Sequence, residues 1–443
     1  MHREKEARIL TLALATAALA ACADTAPTSP RARDIASAAV ANVRCDADNG
    51  GITLPPGFCA VVVADRLDMP RHMIVRPNGD LFVAHNSNHG APVLGGVTAL
   101  RDTDGDGKAD VSAHFGDLGG NGIAWAPGRL FFAPDDRVLV YPLPDDALTP
   151  LGAPQTIVSG LPNTGNHISK TLVLTPSARL VYVNIGSATN SCQVVDRTLH
   201  SPGIDPCPEL GFRAGVWRFS TERFGQQERD GQHFATGLRN MVPLALNPFN
   251  SRLYGVQHGR DRLNEDWPEF FTTQEGADLP AEELVRIPEG YDNGWPYCYF
   301  DQLRNRKVLA PEYGGDGEII GRCADKGQPL LGFPGHWAPN AMMFYTGEQF
   351  PARYRGGAFV AFHGGFDRAP LPNEGYNVVF VPFAGGAPSG GYEIFADGFT
   401  GGGSPLPAAA LYRPTGLAQG PDGSLYVSDD KGGRIWRIVY VGQ

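Results

Sequence analysis

Leu417-Ala418-Gln419-Gly420-Pro421-Asp422-Gly423-Ser424-Leu425-Tyr426-Val427 reads as two short apolar strands joined by a Pro-Asp-Gly turn. Asp-Gly supplies the unusual backbone angles of a tight reversal, so the stretch predicts a β-hairpin. The same theme stands upstream in Met73-Ile74-Val75-Arg76-Pro77-Asn78-Gly79-Asp80-Leu81-Phe82-Val83 and in Gly122-Ile123-Ala124-Trp125-Ala126-Pro127-Gly128-Arg129-Leu130-Phe131-Phe132. It stands again from Leu172 to Val183 and from Leu244 to Gly255, with a degenerate sixth copy over Met342 to Phe362. Hairpins repeated at uneven spacing fit the blades of a β-propeller with long insertions; a sandwich would need fewer, more uniform strands. The expected fold is all-β, a six-bladed propeller, with seven blades as the alternative.

Composition agrees. The 443 residues include 56 Gly and 37 Pro, with 42% hydrophobic and 19% charged residues, which describes a turn-rich globular chain poor in long helix. A formal net charge of −10 argues against a nucleic-acid partner.

Arg3, Lys5 and Arg8 precede an apolar run from Ile9 to Ala21 that is too short to span a bilayer, the pattern of an export leader. Leu19-Ala20-Ala21-Cys22 resembles a bacterial lipobox. The reading is a leader over 1–21, a lipid-anchored Cys22 opening a flexible tether over 22–44, and one propeller domain over 45–443. It places the protein in the periplasm, held to the outer membrane only by its lipid. Six cysteines then remain for an oxidising compartment, and local spacing suggests Cys45 with Cys59, Cys192 with Cys207, and Cys298 with Cys323. The sequence contains no CxxC for a metal cluster and no CxxCH for covalent haem.

A propeller gathers loops from every blade around one axis, so polar residues beside blade strands are the candidate site. His167 lies in Gly165-Asn166-His167-Ile168-Ser169-Lys170, just before the Leu172 strand. Gly237-Leu238-Arg239-Asn240 holds the equivalent place one blade later. Gln257-His258-Gly259-Arg260-Asp261 follows the second strand of that blade, and Asp367-Arg368 and Arg413 stand near the last two blades.

Together with Tyr291-Asp292-Asn293-Gly294-Trp295-Pro296, Phe362-His363-Gly364-Gly365-Phe366-Asp367-Arg368 and Arg413-Pro414, these motifs resemble the pyrroloquinoline-quinone (PQQ)-dependent sugar dehydrogenases, the soluble glucose dehydrogenase and L-sorbosone dehydrogenase group. The resemblance covers residues 52 to 440. It implies His167 as general base for hydride transfer from a sugar hydroxyl or hydrated aldehyde to the quinone, with an external electron acceptor. It implies Arg239 and Asn240 at the reacting quinone oxygen, and Asn121, Arg368 and Arg413 as further contacts to a cofactor bearing three carboxylates. A cofactor-bound Ca²⁺ would rest on the backbone carbonyls of Gly259 and Arg260.

The chain also departs from that pattern. Arg368 stands where the glucose dehydrogenases carry lysine, Gly120 beside Asn121 where they carry glutamine, Ser187 where they carry an acid near the histidine, and Leu411 in place of a second arginine. A separate loop, Asp102, Asp104, Asp106, Lys108 and Asp110, resembles the start of an EF-hand-type calcium loop, although Ala113 takes the acidic twelfth place. The competing classes are a calcium-dependent propeller hydrolase, which needs carboxylates on the inner face, and a non-catalytic binding propeller. Nicotinamide chemistry is disfavoured, because no GxGxxG opens a helix after a strand.

Overall fold

The computed structural model describes residues 43–86 and 94–442. The expected leader, Cys22 and most of the tether therefore lie outside the described residues. Six antiparallel sheets form the body. The first blade runs Pro70–Val75, Leu81–His85, Val97–Arg101 and Val111–Phe115, and the second Gly120–Ala126, Arg129–Pro134, Arg137–Pro142 and Gln155–Ser159. The third is Leu172–Leu174, Leu180–Ile185, Gly215–Ser220 and Gln232–Thr236, and the fourth Leu244–Asn247, Arg252–Gln257, Glu282–Ile287 and Leu331–Phe333. The fifth is Pro339–Phe344, Ala358–Phe362, Asn377–Val381 and Glu393–Ala396. In the sixth, Pro414–Gln419, Leu425–Asp429 and Ile435–Tyr440 take their outer strand from the other end of the chain, Phe58–Ala64, which closes the ring.

The first strand of each blade touches the first strands of both neighbours, so these six line the axis. The opening hairpin folds as its turn residues require. Gln419 pairs with Leu425, Gly423 takes φ +89°, and Asp422 Oδ1 accepts from the Ser424 amide at 3.1 Å. Asp422 Oδ2 also receives Arg437 Nη2 at 2.8 Å, which ties the turn to the third strand. The degenerate copy over Met342 to Phe362 is a true blade hairpin, pairing Phe344 with Ala358.

Packing explains why the strands read as nearly continuous apolar runs rather than as alternating ones. Successive side chains point to opposite sheet faces, and in a propeller both faces are covered by a neighbouring blade. Phe131 packs with Leu172, Val181 and Trp217 of the third blade, while Leu130 and Phe132 pack with Phe82 and Val97 of the first. Equivalent clusters fill each of the other seams, the largest joining the fifth and sixth blades around Phe58, Phe350, Tyr354, Phe359, Phe395 and Trp436. The seam count settles six blades over seven.

Two disulfide-bonded insertions leave this ring, one between the second and third strands of the third blade and one between the last two strands of the fourth. Each carries a disulfide, Cys192–Cys207 and Cys298–Cys323, and Cys45–Cys59 fastens the N-terminal strand, so all three expected pairings occur. The insertions dock on each other: Gly203 N donates to Glu312 O at 2.9 Å and Cys207 N to Tyr297 Oη at 2.9 Å. No helix of the described residues is long and apolar enough to cross a membrane.

Candidate functional site

The inner strands all enter the ring from one end, and the second strands return to that same end. Residues just before a first strand and just after a second strand therefore meet at the axis. They line a cavity of about 250 Å³ formed by Arg71, Asn86, Asn166, His167, Ile168, Ser169, Asn240, Val242, His258, Asn340 and His363. This lies just below the roughly 300–1,000 Å³ typical of small-molecule sites. No carboxylate is among these lining residues, and the polar groups are side-chain amides, a serine hydroxyl, neutral imidazoles and one guanidinium.

His167 hangs from the loop before the third blade. Its Nδ1 lies 2.9 Å from Ser187 Oγ and 3.1 Å from Ser187 O. Ser187 Oγ spends its own proton on Thr189 O at 2.6 Å, so both atoms facing Nδ1 are acceptors. The proton must then sit on Nδ1, which leaves Nε2 as the basic nitrogen. Burial, reinforced by the charge of Arg239, holds this imidazole well below its ordinary pKa of 6.5, so it is neutral at neutral pH. Ser187 orients the ring without charging it. We expect the His167 signals in an NMR titration to remain those of the neutral ring from about pH 8 down to about pH 6. In Ser187→Asp, a carboxylate beside Nδ1–H should stabilise the imidazolium and raise the midpoint by ~1–3 units. An unmoved midpoint would show that Nδ1 does not face residue 187.

Asn240, the other inner-ring residue foreseen from sequence, reaches the cavity with its Oδ1 buried and without a hydrogen-bond partner among the described residues. Such an atom costs stability unless a ligand supplies a donor. His258 donates through Nε2 to Pro339 O, and burial with Arg239 pushes its pKa down to about 3. Arg71 stands in the wall, its Nε on Asn121 Oδ1 at 2.9 Å and its Nη1 on Asp430 at 2.5 Å. His363 shares that carboxylate through Nε2 at 2.7 Å. Burial alone would raise the Asp430 pKa, but His363 and Arg71 outweigh it and keep the group ionised.

Arg239 lies just behind this wall, lining a narrow cleft with Gln257, Gly259 and Trp295. Its charge still reaches the cavity, since it helps to depress both His167 and His258. Its Nη1 donates to Gly259 O at 2.7 Å and its Nη2 to Asp261 Oδ2 at 2.8 Å.

Several sequence-predicted residues are placed elsewhere. Asn121 is fully buried, and its amide orients Arg71 instead of facing the cavity. Arg368 is consumed by Ala277 O, Pro372 O, Asp278 and Glu374, because its loop folds back on the short helix Thr273–Asp278. Arg413 braces the loop below His363, with Nε on His363 O at 3.0 Å and Nη2 on Gly364 O. Arg260 entered the calcium reading through its backbone carbonyl, and its side chain forms a buried ion pair with Glu312. Asp102, Asp104 and Asp106 bring their oxygens within 4.8 Å of one another. Asp110 instead caps Thr103, and Lys108 reaches Asp46 at 3.2 Å.

Arg71 and Asn340 were not foreseen as site residues, and His258 and His363 only as parts of motifs. The signal that would have found them is position: Arg71 and Asn340 are each the second residue of an inner strand, and the two histidines each follow a second strand.

The residues present fit an anionic cofactor that also carries a donor: a fixed guanidinium stands in the wall of the axial cavity and a second behind it, and the unpartnered Asn240 Oδ1 would accept the donor. They fit a cofactor-bound cation less well. The Gly259 carbonyl is already an acceptor for Arg239, and Asp261, which approaches His336 and Asp367, pairs with both Arg239 and Arg197.

A family model described as TrAA12-like matches residues 52–441. The fold is shared with the calcium structure of a Trichoderma reesei family AA12 carbohydrate-active enzyme, at 21% identity over 90% of this chain and 99% of that one, with a TM-score of 0.71. The holo form of the pyranose dehydrogenase PQQ domain of Coprinopsis cinerea superposes with a TM-score of 0.72, at 21% identity over 88% and 97% of the two chains. The PQQ-bound aldose sugar dehydrogenase of Streptomyces coelicolor gives 0.53, at 17% identity over 87% and 99%. An uncharacterized protein of Borreliella burgdorferi is 26% identical over 264 residues, 58% of this chain and 60% of that protein's length.

Proposed function

The chain belongs to the TrAA12-like family, and from that premise we propose that it is a PQQ-dependent dehydrogenase that oxidises a sugar hydroxyl or hydrated aldehyde. The observation that carries this reading is the axial cavity, in which His167 stands with a guanidinium and side-chain amides and no carboxylate is among the described lining residues. A calcium-dependent hydrolase would need acidic ligands in that place.

The quinone, when bound, supplies the two-electron sink that takes hydride from the carbon bearing the hydroxyl. His167 Nε2 takes the hydroxyl proton, and Ser187 holds the ring in the tautomer that can do so. Arg71 and Asn240 orient the anionic ligand from the wall, while Arg239 provides fixed positive charge in a buried setting where charge counts for more than in water. An external acceptor would be needed to take the electrons away. The disulfides suit the oxidising periplasm to which the leader points, with Cys22 as the lipid attachment.

The test uses the purified apoprotein, PQQ, and either Ca²⁺ or a chelator, with dye reduction followed over aldoses, ketoses, aldosones and alcohols. Saturable quinone binding with turnover on at least one sugar is expected. Absence of quinone binding would overturn the reading, and equal turnover with chelator would remove Ca²⁺ from it.

A further inference from the structure

One segment, Ser187-Ala188-Thr189-Asn190, runs between the base and the buried cation. Its first residue holds His167, and the Ser187 amide also donates to Arg239 O at 2.7 Å. Its last residue, Asn190, is fully buried and committed on every side. The Asn190 carbonyl accepts from Arg239 Nε at 3.0 Å and from Trp295 Nε1 at 2.9 Å. Oδ1 accepts from Arg239 Nη2 at 2.9 Å and from the Asp261 amide at 2.9 Å. Nδ2 donates to Asp261 O at 2.9 Å, and the Asn190 amide to Asp196 Oδ1 at 2.8 Å.

Two donors of Arg239, on different nitrogens, thus end on one residue. This two-point grip fixes the plane of the guanidinium together with Nη1 on Gly259 O at 2.7 Å, whereas Asp261 Oδ2 balances its charge. The segment is itself stapled. The Ala188 amide and Thr189 Oγ1 both donate to the buried Glu209 carboxylate. The Cys192–Cys207 disulfide closes the loop immediately beyond, and Cys192 N returns to Thr189 Oγ1 at 2.9 Å.

We propose that Asn190 is a positioning residue: it sets the orientation of the Arg239 guanidinium beside the cofactor cavity, from the same rigid segment that orients His167. The inference rests on the quinone-dehydrogenase reading for its kinetic consequence but not for its geometry. The Asn190 side chain acts on Arg239, while Ser187 acts separately on His167. The two ends can therefore be disturbed independently.

Asn190→Ala removes Oδ1 and Nδ2 but leaves the backbone carbonyl. With PQQ-loaded enzyme, kcat should fall by roughly 10- to 100-fold, as for a reacting group displaced by about an ångström. KM and the acid limb of the pH profile should not move, because the Ser187 contacts survive. Asn190→Asp keeps both acceptors toward Arg239 but loses the Nδ2 donor to Asp261 O, and should restore part of the turnover. In the apoprotein, NMR should find rotation about the Arg239 Nε–Cζ bond hindered in the wild type, faster in Asn190→Ala and slowed again in Asn190→Asp. Wild-type rotation and kcat in Asn190→Ala would overturn the proposal. So would equal losses in both variants with a shifted pH limb, which would mean a collapsed loop. If the wild type binds no quinone while rotation still responds, the positioning stands and the dehydrogenase reading falls.

Discussion

His167→Ala should lose turnover by roughly 10²- to 10⁴-fold, the usual worth of a positioned general base, while quinone affinity and melting temperature stay close to wild type. The structural cost is small because, among the described residues, the ring is hydrogen-bonded only through Nδ1 to Ser187. The chemical cost is large because Nε2 is the basic atom that the tautomer leaves facing the cavity. His167→Gln separates the two roles: its amide can still donate to Ser187, but it cannot take a proton, so it should be as inactive as alanine. Added imidazole should recover part of the alanine variant's rate and none of the glutamine variant's, whose side chain fills the space. Turnover within a few fold of wild type in either variant would remove His167 as the base.

The pocket's neutral imidazoles give that prediction a pH corollary. A histidine whose native pKa is depressed stays unprotonated below 6.5, so loss of rate on acidification must begin lower than for an ordinary histidine. The corresponding effect on stability does not have one sign across the molecule. Between about pH 6.5 and 4 the unfolded chain binds more protons at His258 and His72, whose native values are about 3 and 4. This favours unfolding as pH falls. Over the same range burial raises Glu282 to about 7 and Asp429 to about 6, so the native state binds protons there first and is favoured as pH falls. Activity is therefore the cleaner readout.

The blades were legible because their information is local. A Pro-Asp-Gly turn and apolar strands a few residues apart specify a hairpin without reference to the rest of the chain, as in Leu417 to Val427. Even the weak fifth-blade copy kept its strands, though its Pro-Asp-Gly signal is replaced by a longer turn ending in Ala352–Tyr354. The site was legible only where a polar residue interrupts an apolar pattern at the mouth of a strand, as His167 and Asn240 do. Arg71 escaped notice because it lies inside the strand Pro70–Val75 and looks like a surface residue. Asn121 and Arg368 were assigned by resemblance, and their side chains are spent on Arg71 and on the helix Thr273–Asp278. Asn190 could not be read at all, because its partner Arg239 is 49 residues away and the two meet only when a disulfide-bonded insertion folds back.

Arg239→Met should damage stability and catalysis together, and the two losses can be told apart. Arg239 is 2% exposed, and removing its guanidinium takes the donor from the Gly259 carbonyl and part of the balance from the Asp261 charge, and leaves the Asn190 carbonyl and amide oxygen with only their second donors, Trp295 Nε1 and the Asp261 amide. Breaking a buried pair in this way typically costs about 3–5 kcal/mol. The Arg197 contact to Asp261 at 2.6 Å should keep the figure near the lower end. Turnover should fall by roughly 10²- to 10³-fold if the cation stabilises charge developing on the cofactor. Arg239→Lys returns a charge to Asp261 but offers its donors from a single point, so it cannot reproduce the two-nitrogen hold on Asn190. It should recover much of the melting temperature and little of the rate. The double variant Arg239→Met/Asp261→Asn removes both buried charges and should regain part of the stability, since the partner it leaves without the carboxylate is the part-exposed Arg197. Its rate should stay at the level of Arg239→Met. If the lysine variant instead turned over like wild type, positive charge alone would suffice, and the orientation imposed by Asn190 would have no catalytic consequence.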